Sequence, residues 1–441
     1  MSENSKKSFE EVRAMLEAST NGKPLSTINN AVLILKYDPL FWNNIRDNLF
    51  RERIELFGKM PWSRNSTAIT DKDDIHIRHY IEKTYSFRND KAIRDAMQIV
   101  ASENEYHPVR NYLLSLKWDG KSRIREALPR YLGTSGSDYE YECLKLFMSG
   151  AISRIFKPGC KFEYMLCLVG GQGAGKSTFI RFLCMNDQWF TDDIKRLDDE
   201  KVYEHLSGHW ICEMAEMLAV LNTKYNEATK AFLSRQFDSY RKPYGARAED
   251  IARQCVFVGT SNVVNFLPLD RSGNRRFLPI MCDATKADVH ILENENESRE
   301  YIKQMWAEMM KVYQAGNFRL KLPKEIEINL IEHQRPFMQE DTWTGIIQDW
   351  LDHSSYEQVC VQQIYNEALK ENGKPRNHEA REIGLIMNGT ITGWKAYPNP
   401  RNIPGYGKQR GWMRVETNFG NTEETFHSVE GQQITIPFEP A

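Results

Sequence analysis

A glycine-rich segment between an apolar run and a helical pattern constrains the fold of this chain more than any other feature. Residues 164–169 are apolar and typical of a short buried strand, and the residues that follow match GxxxxGK[ST]. Glycines let backbone N–H groups turn towards phosphate oxygens, and the following helix points the positive end of its dipole at them. The sequence therefore predicts a phosphate-binding loop made by Gly171, Gln172, Gly173, Ala174, Gly175, Lys176, Ser177 and Thr178.

The composition indicates a multidomain chain without a membrane span. The 441 residues correspond to about two to four domains, and no apolar run approaches the roughly 18 residues that cross a bilayer. The formal net charge is -2. Because the polar, acidic N-terminus does not resemble a signal or transit peptide, we expect a cytoplasmic protein with no membrane partner. The eight cysteines are scattered and form no CxxC pair, which disfavours a disulfide framework or a zinc ribbon.

The alternation of apolar and polar stretches predicts an α/β fold around the loop. Further apolar runs at 209–212, 255–259 and 277–281 alternate with helical or polar stretches, as they do in a sheet covered by helices. We therefore assign residues 136–335 to one phosphate-loop domain.

The residues before this domain predict a polar arm and a mainly helical domain. Residues 1–25 are polar, and 26–135 carry mixed patterns in which Asn89 can cap a helix. The GTSGS segment at 133–137 reads as a linker. The predicted helix after Asn89 has one apolar face, made by Ile93, Ala96, Met97 and Val100.

The residues after the domain predict a small winged-helix-like domain at 336–420 and an acidic tail at 421–441. The winged-helix-like domain would contain helices at 343–351, 361–369 and 377–387 and a two-stranded ribbon at 391–397 and 411–415.

Polar side chains near two of the apolar runs complete a candidate hydrolytic site. Lys176 should meet the β- and γ-phosphates of a nucleotide, and Ser177 should ligate Mg²⁺. Glu213, at the end of a predicted strand, can orient the attacking water or hold Mg²⁺ through water, and Glu216 can share this work. The alternative is that both acids only begin a helix. Asn262, at the tip of the next strand, fits a sensor for the lytic water, or else an ordinary turn.

A basic turn precedes the last apolar run. In the sequence DRSGNRRF, Arg275 and Arg276 lead into a predicted strand. Such arginines can reach the ATP of a neighbouring subunit, where an arginine finger accelerates hydrolysis by on the order of 10³- to 10⁵-fold. The alternative is a solvated turn or surface ion pairs.

Together these motifs resemble the virulence-associated E family, ATPases related to the superfamily 3 helicases of phages and small DNA viruses. The resemblance covers about residues 107–281 and includes HPVRNYLLSLKWDGKSRI, KPGCKFEYMLCLVGGQGAGKST, GHWICEMAEM and GNRRFLPI. It implies an AAA+-type core in which Lys176, Ser177 and Glu213 bind ATP and Mg²⁺, Asn262 is the sensor, and identical subunits form a hexameric ring in a bacterial host. The usual tandem acidic pair is missing, which leaves open which acid is the catalytic base.

The resemblance also places a channel-facing segment between the second and third apolar runs. Cations interleaved with tyrosines suit phosphate contact and base stacking on single-stranded DNA. The alternative is a solvated basic loop that packs on a neighbouring subunit. The candidate contacts are Arg235, Arg241, Lys242, Tyr244 and Arg247, with Arg253 at the end of the basic run.

A second basic region lies in the predicted winged-helix-like domain. Its cations could steer the domain to DNA phosphates, and the aromatic residues among them could stack on bases or could equally form the core of the domain. The candidate DNA-binding cations are Lys395, Arg401, Lys408 and Arg410, and the aromatic residues are Trp394, Tyr397, Tyr406 and Trp412.

The sequence thus predicts an ATP-dependent DNA helicase or translocase of a phage or mobile element, with ATPase activity stimulated by single-stranded DNA. Double-stranded DNA is a further candidate partner. The alternative is an ATP-switched origin-binding or helicase-loading protein that does not unwind DNA. A third class, a virulence regulator without DNA chemistry, has no support in these residues.

Overall fold

The chain divides into two units, Met1–Gln339 and Glu340–Ala441. The computed structural model describes residues 6–194, 202–215, 223–241, 247–268, 274–338 and 342–415. Within these ranges, no helix is both long enough and apolar enough to cross a bilayer.

The first unit combines helices with three groups of strands. Its helices are α1 (Phe9–Met15), α2 (Ile28–Tyr37), α3 (Asp71–Tyr85), α4 (Asp90–Ser102), α5 (Pro108–Ser115), α6 (Ile124–Leu132), α7 (Asp138–Phe156), α8 (Lys176–Leu183), α9 (Val202–Leu206), α10 (Thr223–Leu233), α11 (Glu295–Gln314), α12 (Lys324–Ile328) and α13 (Leu330–Gln334). Its strands are β1 (Ile45–Asn48), β2 (Arg53–Leu56), β3 (Glu105–Tyr106), β4 (Met165–Gly170), β5 (Phe190–Thr191), β6 (Ile211–Ala215), β7 (Phe237–Arg241), β8 (Ala248–Ala252), β9 (Val256–Ser261) and β10 (Phe277–Cys282).

The N-terminal region has its own hydrophobic core, formed by α1 to α4 and a three-stranded sheet in the order β2-β1-β3. Helix α4 begins after Asn89, whose side chain accepts a hydrogen bond from the backbone N–H of Ala92, as the sequence predicts. The apolar face of α4 is confirmed in full, because its predicted members are all buried: Ile93, Ala96, Met97 and Val100.

Two segments before the central sheet differ from the sequence prediction. The polar arm contains α1, which begins with a capping box between Ser8 and Glu11 and buries Val12 completely. The expected linker at 133–137 is a short connection between α6 and α7 that begins with Gly133 as the C-cap of α6. A Cβ on Gly133 would lie 2.0 Å from the carbonyl oxygen of Asp283, and φ of Gly133 is 60°, so only glycine fits there. Glycine and serine at this point reflect close packing rather than flexibility.

Helices α5 and α6 also depart from the expected grouping. The sequence places them in the N-terminal helical domain, but they bury their apolar side chains in the core of the central sheet. The sequence around these two helices is largely polar, and only the helical spacing of their apolar residues indicates a face that packs on the sheet. The residues concerned are Val109, Leu113, Ile124, Ala127 and Leu128.

The central sheet has five parallel strands in the order β10-β4-β9-β6-β5. Strand β4 is buried on both faces, and its residues alternate between two hydrophobic clusters. Leu166 and Leu168 face one cluster, whereas Met165, Cys167 and Val169 face the other. This explains why the strand reads as a continuous apolar run. The predicted α/β class is confirmed, and the structure adds that the sheet is parallel. The carboxyl ends of β4, β6 and β9 meet at one edge.

The second unit is a small mixture of helices and antiparallel strands. Its elements are α14 (Thr342–His353), β11 (Gln358–Cys360), α15 (Val361–Gln363) with a π-helical turn at Ile364–Ala368, α16 (Asn377–Gly389), β12 (Trp394–Ala396), β13 (Arg401–Ile403), β14 (Gly407–Gln409) and β15 (Gly411–Arg414). A three-stranded sheet in the order β11-β15-β12 and a separate β13–β14 hairpin accompany the helices. The sequence predicts only two strand-like runs here, because β11, β13 and β14 are three residues long and leave little pattern.

Candidate phosphate-binding site

The loop after β4 borders a cleft of about 280 Å³ at the carboxyl edge of the central sheet. Gly173 and Gly175 have φ angles of 81° and 74°, a left-handed backbone that glycine adopts without steric cost. Gly175 is the N-cap of α8, so the helix begins at the motif lysine. The cleft is lined by Gln172, Gly173, Ala174, Gly175, Lys176, Ser177, Thr178, Ala215, Thr260, Ser261 and Asn262.

Lys176 folds back over the loop and meets the predicted sensor. Its Nζ donates to the carbonyl oxygens of Gly170 and Gly171 at 2.8 and 2.7 Å, and to Oδ1 of Asn262 at 3.1 Å. Lys176 is only 7% exposed, and this burial lowers the pKa of its ammonium group. Because all three hydrogen-bond acceptors are neutral, a phosphate oxygen entering the cleft could provide the matching negative charge.

Glu213 connects the loop to the two neighbouring strands. Its Oε1 accepts hydrogen bonds from the hydroxyl of Ser177 at 2.6 Å and from the hydroxyl of Thr260 at 2.7 Å. The residue is 1% exposed, and its Oε2 is buried with no hydrogen-bond partner in the described ranges. A buried carboxylate oxygen without a donor is costly unless a cation meets it. Ser177 and Glu213 therefore fit Mg²⁺, which prefers hard oxygen ligands.

Two details of this cluster differ from the sequence prediction. Strand β6 continues to Ala215, so Glu213 lies in the middle of the strand and not at its end. Thr260 was not singled out as a site residue. Its only sequence signal is a hydroxyl within the apolar run VFVGTS, two residues before Asn262. Glu216 lies outside the described residues.

The family of the chain follows from its sequence. A model of the virulence-associated protein E-like domain matches residues 113–339, more than half of the 441-residue chain. The chain belongs to this family. The matched region of this virulence-associated E-like protein contains the glycine-rich loop after β4, Glu213 and Asn262.

Comparisons with other proteins add little about the site. No curated protein matches this virulence-associated E-like chain. Among solved structures, it is similar to the A-form apo structure of the NrS-1 C-terminal region (305–718), with 16% identity, 86% of this chain and 100% of that chain covered, and a TM-score of 0.45. A second apo structure of the same region gives 13% identity, coverage of 86% and 99%, and a TM-score of 0.47. Likeness at this level locates no functional residue.

The basic turn of the virulence-associated E-like domain lies at the opposite edge of the sheet from the loop. Arg276 immediately precedes β10, which runs parallel to β4, so about 20 Å of strand separates this turn from the loop. Both arginines pair with Glu163, at 3.4 Å for Arg275 and 3.1 Å for Arg276, and Arg276 also donates to the hydroxyl of Ser234 at 3.0 Å. At that separation they do not reach the cleft of their own chain.

The predicted channel-facing segment forms an antiparallel hairpin of β7 and β8, in which Arg241 is opposite Ala248. Arg235, before the hairpin, and Arg247, at the start of its return, are exposed. Arg235 donates to the hydroxyl of Tyr203 and lies over the same ring at 5.6 Å. Lys242, Tyr244 and the side chain of Arg241 lie outside the described part of the hairpin.

Arg253 is not a candidate DNA contact, although it ends the predicted basic run. It is 2% exposed, and its guanidinium makes a two-pronged ion pair with Asp238, with donor–acceptor distances of 2.8 and 2.5 Å. A third N–H donates to the carbonyl oxygen of Phe232 at 2.6 Å. The residue therefore anchors the base of the hairpin, and sequence reasoning missed this because charge alone does not reveal burial.

The basic region of the second unit separates into an outer and an inner set of side chains. Lys395, Arg401, Lys408 and Arg410 are exposed, as DNA contacts would need to be. Three of the four aromatic residues are buried and therefore not available for stacking on bases, whereas Tyr406 is half-buried. Trp394 and Trp412 are part of the hydrophobic core, Tyr397 is buried, and the hydroxyl of Tyr406 donates to Glu367 at 2.9 Å.

Proposed function

We propose that this protein is an ATP- and Mg²⁺-dependent DNA motor, a helicase or translocase with an AAA+-type core, that serves the replication of a phage or mobile element. The observation that carries the proposal is the hydrogen-bonded cluster across β4, β6 and β9. It brings Lys176 to Asn262, and Ser177 to Glu213, across large distances in the sequence. Family membership over the same residues supports it.

The side chains divide the work of hydrolysis between binding and orientation. Lys176 and the loop N–H groups would bind the β- and γ-phosphates, and the amide of Asn262 would orient the attacking water. Ser177 and Glu213 would hold Mg²⁺, which neutralises charge on the phosphate oxygens. Because Glu213 already accepts from Ser177, we assign Glu213 to the metal site.

The position of the arginines supports hydrolysis between subunits. Arg275 and Arg276 are roughly 20 Å of strand away from the loop of their own chain, but a neighbouring copy in a hexameric ring could place its own loop beside them. Closed rings of identical subunits bring opposite edges of the same fold together in this way.

Two regions could contact DNA. The β7–β8 hairpin would touch single-stranded DNA in the ring, with Arg247 on its exposed part. In the second unit, the helix–strand–helix–helix order followed by strands and a hairpin supports a winged-helix domain. The β13–β14 hairpin would be its wing and carries Arg401 and Lys408. Because a winged-helix domain binds duplex DNA, it also fits the alternative function, an ATP-switched origin-binding or loading protein.

ATP turnover and strand displacement test the proposal together. Purified wild-type protein should hydrolyse ATP faster with a single-stranded oligonucleotide and should displace a strand from a forked duplex. Hydrolysis without displacement would favour the loading protein. If neither DNA binding nor stimulation were seen, the DNA motor and the loader would both be rejected.

Mixing two variants tests the shared site. Lys176→Ala keeps its arginines but has a disabled loop, whereas Arg276→Ala keeps its loop. If the arginine acts on a neighbour, mixed rings should hydrolyse ATP faster than the sum of the two separate preparations. No gain on mixing, with mixed assembly verified by particle mass, would reject subunit sharing. Arg275→Ala in the same design identifies which arginine acts.

A further inference from the structure

A polar chain connects the N-terminal region to the base of the β7–β8 hairpin. His107, from the HPVRNYLL motif, is the N-cap of α5, and its Nδ1 accepts the backbone N–H of Arg110 at 3.2 Å. Its Nε2 lies 2.7 Å from Oε1 of Gln254. Gln254 Nε2 in turn donates to the carbonyl oxygen of Leu49 at 3.1 Å. These hydrogen bonds thus join α5, the loop after β1 and the end of the hairpin.

The donor and the acceptor can be assigned in each of these hydrogen bonds between His107, Gln254 and their neighbours. His107 is 3% exposed, and burial lowers the pKa of its imidazole to about 4, so the ring is neutral near pH 7. Since Nδ1 accepts the N–H of Arg110, the one ring proton is on Nε2 and is donated to Gln254. The Gln254 amide then has its oxygen towards His107 and its NH₂ towards Leu49.

Gln254 is placed where the hairpin meets the strand that reaches the phosphate loop. It follows Arg253, which is locked to Asp238 at the hairpin base. Two residues later β9 begins, and β9 leads directly to Asn262, the acceptor of Lys176. Strand β9 is six residues long and buried along its whole length, so it moves as a rigid unit. A displacement of the hairpin relative to the loop after β4 would therefore change the backbone near Gln254, between the hairpin and β9.

The N-terminal region holds the neighbouring strand as well. The backbone N–H of Gly208 donates to the carbonyl oxygen of Phe50 at 3.1 Å, just before β6 and Glu213. A Cβ at Gly208 would lie 2.7 Å from Cγ of Arg51. The segment around Leu49 therefore supports the starts of both strands that carry the hydrolytic cluster.

From these contacts we infer that His107 and Gln254 are positioning residues that hold the junction between the hairpin and β9, so that DNA on the hairpin and the nucleotide cluster at the other end of β9 are coupled. The inference rests on the proposed function, because it assigns DNA contact to the hairpin. It predicts that loss of the His107–Gln254 hydrogen bond uncouples DNA binding from hydrolysis without disabling the cluster itself.

Two substitutions of the same histidine separate its two hydrogen bonds. His107→Asn keeps a side-chain acceptor near Nδ1 and so preserves the helix cap, but it has no donor that reaches Gln254. His107→Gln extends an amide N–H to about the position of Nε2 and gives up the cap. Gln254→Leu removes the amide from the other side.

The measurement is the ratio of ATP turnover with and without a single-stranded oligonucleotide, on the full chain. We expect His107→Asn and Gln254→Leu to lower this ratio by about fivefold or more, with basal turnover within about twofold of wild type. His107→Gln should keep the ratio while unfolding at lower urea. Lys91→Ala, an exposed cation of the N-terminal region, is the control and should change neither quantity.

The outcomes separate this inference from the proposed function. If wild type shows no stimulation by DNA, the proposed function fails and the coupling falls with it. If wild type is stimulated and His107→Asn and Gln254→Leu keep the full ratio, only the coupling is rejected. A lower ratio in His107→Gln with a normal ratio in His107→Asn would also overturn it, because the cap and not the Gln254 contact would then matter. If Gln254→Leu does not fold, the two histidine variants decide.

Discussion

The loop after β4 and the basic region of the second unit both have a clear sequence signal, but they differ in whether the residues of that signal lie together in the structure. At the loop edge, the polar residues that the motifs single out meet one another, as Lys176 meets Asn262 and Ser177 meets Glu213. In the basic region, residues that look like one surface are divided: Lys408 is exposed and Trp412 is buried. Residues of motifs with fixed spacing thus lie together in the structure, whereas a mixed basic and aromatic composition does not show which residues are exposed.

The largest effect should come from the loop lysine. Lys176→Ala removes the cation that would bind phosphate under the proposed function, and we expect ATP turnover to fall by at least about 10²- to 10³-fold, as when a charge-stabilising donor is removed from other enzymes. Arg181→Ala is the matched control, since it removes a surface cation from the same helix. Steady-state ATP hydrolysis measures both. If Lys176→Ala retained its ATP turnover, the motif residues would not form a hydrolytic site, and the contrast with the basic region would be lost.

Glu213→Gln should separate activity from stability. The amide oxygen can still accept from Ser177 and Thr260, and the NH₂ replaces the buried oxygen that has no donor. We expect turnover to fall about 10- to 100-fold or more, the range for groups that tune a bound metal, and the response to Mg²⁺ to weaken. Thermal unfolding should be unchanged or shifted upward, because a buried charge is removed. A drop in melting temperature together with normal turnover would show that Glu213 is structural.

Trp412→Ala sharpens the other side of the comparison. The indole is 5% exposed, and its N–H donates to Oδ1 of Asn388 at 2.6 Å, so the change should cost about 3–5 kcal/mol of the unfolding free energy of the second unit. Lys395→Ala, on a neighbouring strand but exposed, should stay within about 0.5 kcal/mol. Urea unfolding of the full chain gives both values. If Trp412→Ala weakened DNA binding without any loss of stability, the aromatic residues would be contacts after all.

The smallest effect should come from the wing. Arg401→Ala combined with Lys408→Ala removes two exposed charges, so the slope of log affinity against log salt for duplex DNA should fall by about 1.8. ATP turnover without DNA should not change. The control is Lys83→Ala combined with Lys91→Ala, which removes the same charge from the N-terminal region. Equal slopes in all three proteins, measured by fluorescence anisotropy, would remove the wing from the DNA contacts.

Much of the fold could be predicted because its signals are local. The cap and apolar face of α4 depend on residues each within four positions of the next, and the buried strand before the loop depends on a single apolar run. The close packing at Gly133 could not be predicted, because the reason for glycine is the backbone of Asp283, far away in the sequence. The same holds for Arg253, whose partner Asp238 lies on the other strand of the hairpin.

The sequence by itself determined the backbone of the loop after β4, since its glycines act locally, and it determined the α/β class, since doubly buried strands must be apolar throughout. Only the tertiary structure decided which polar groups meet. Glu213 became a partner of Ser177 and Thr260 because β6 lies directly beside β9 in the sheet, and the arginines lie at the far edge because they precede β10, which runs parallel to β4. Contacts between distant segments depend on strand order, which no local pattern encodes.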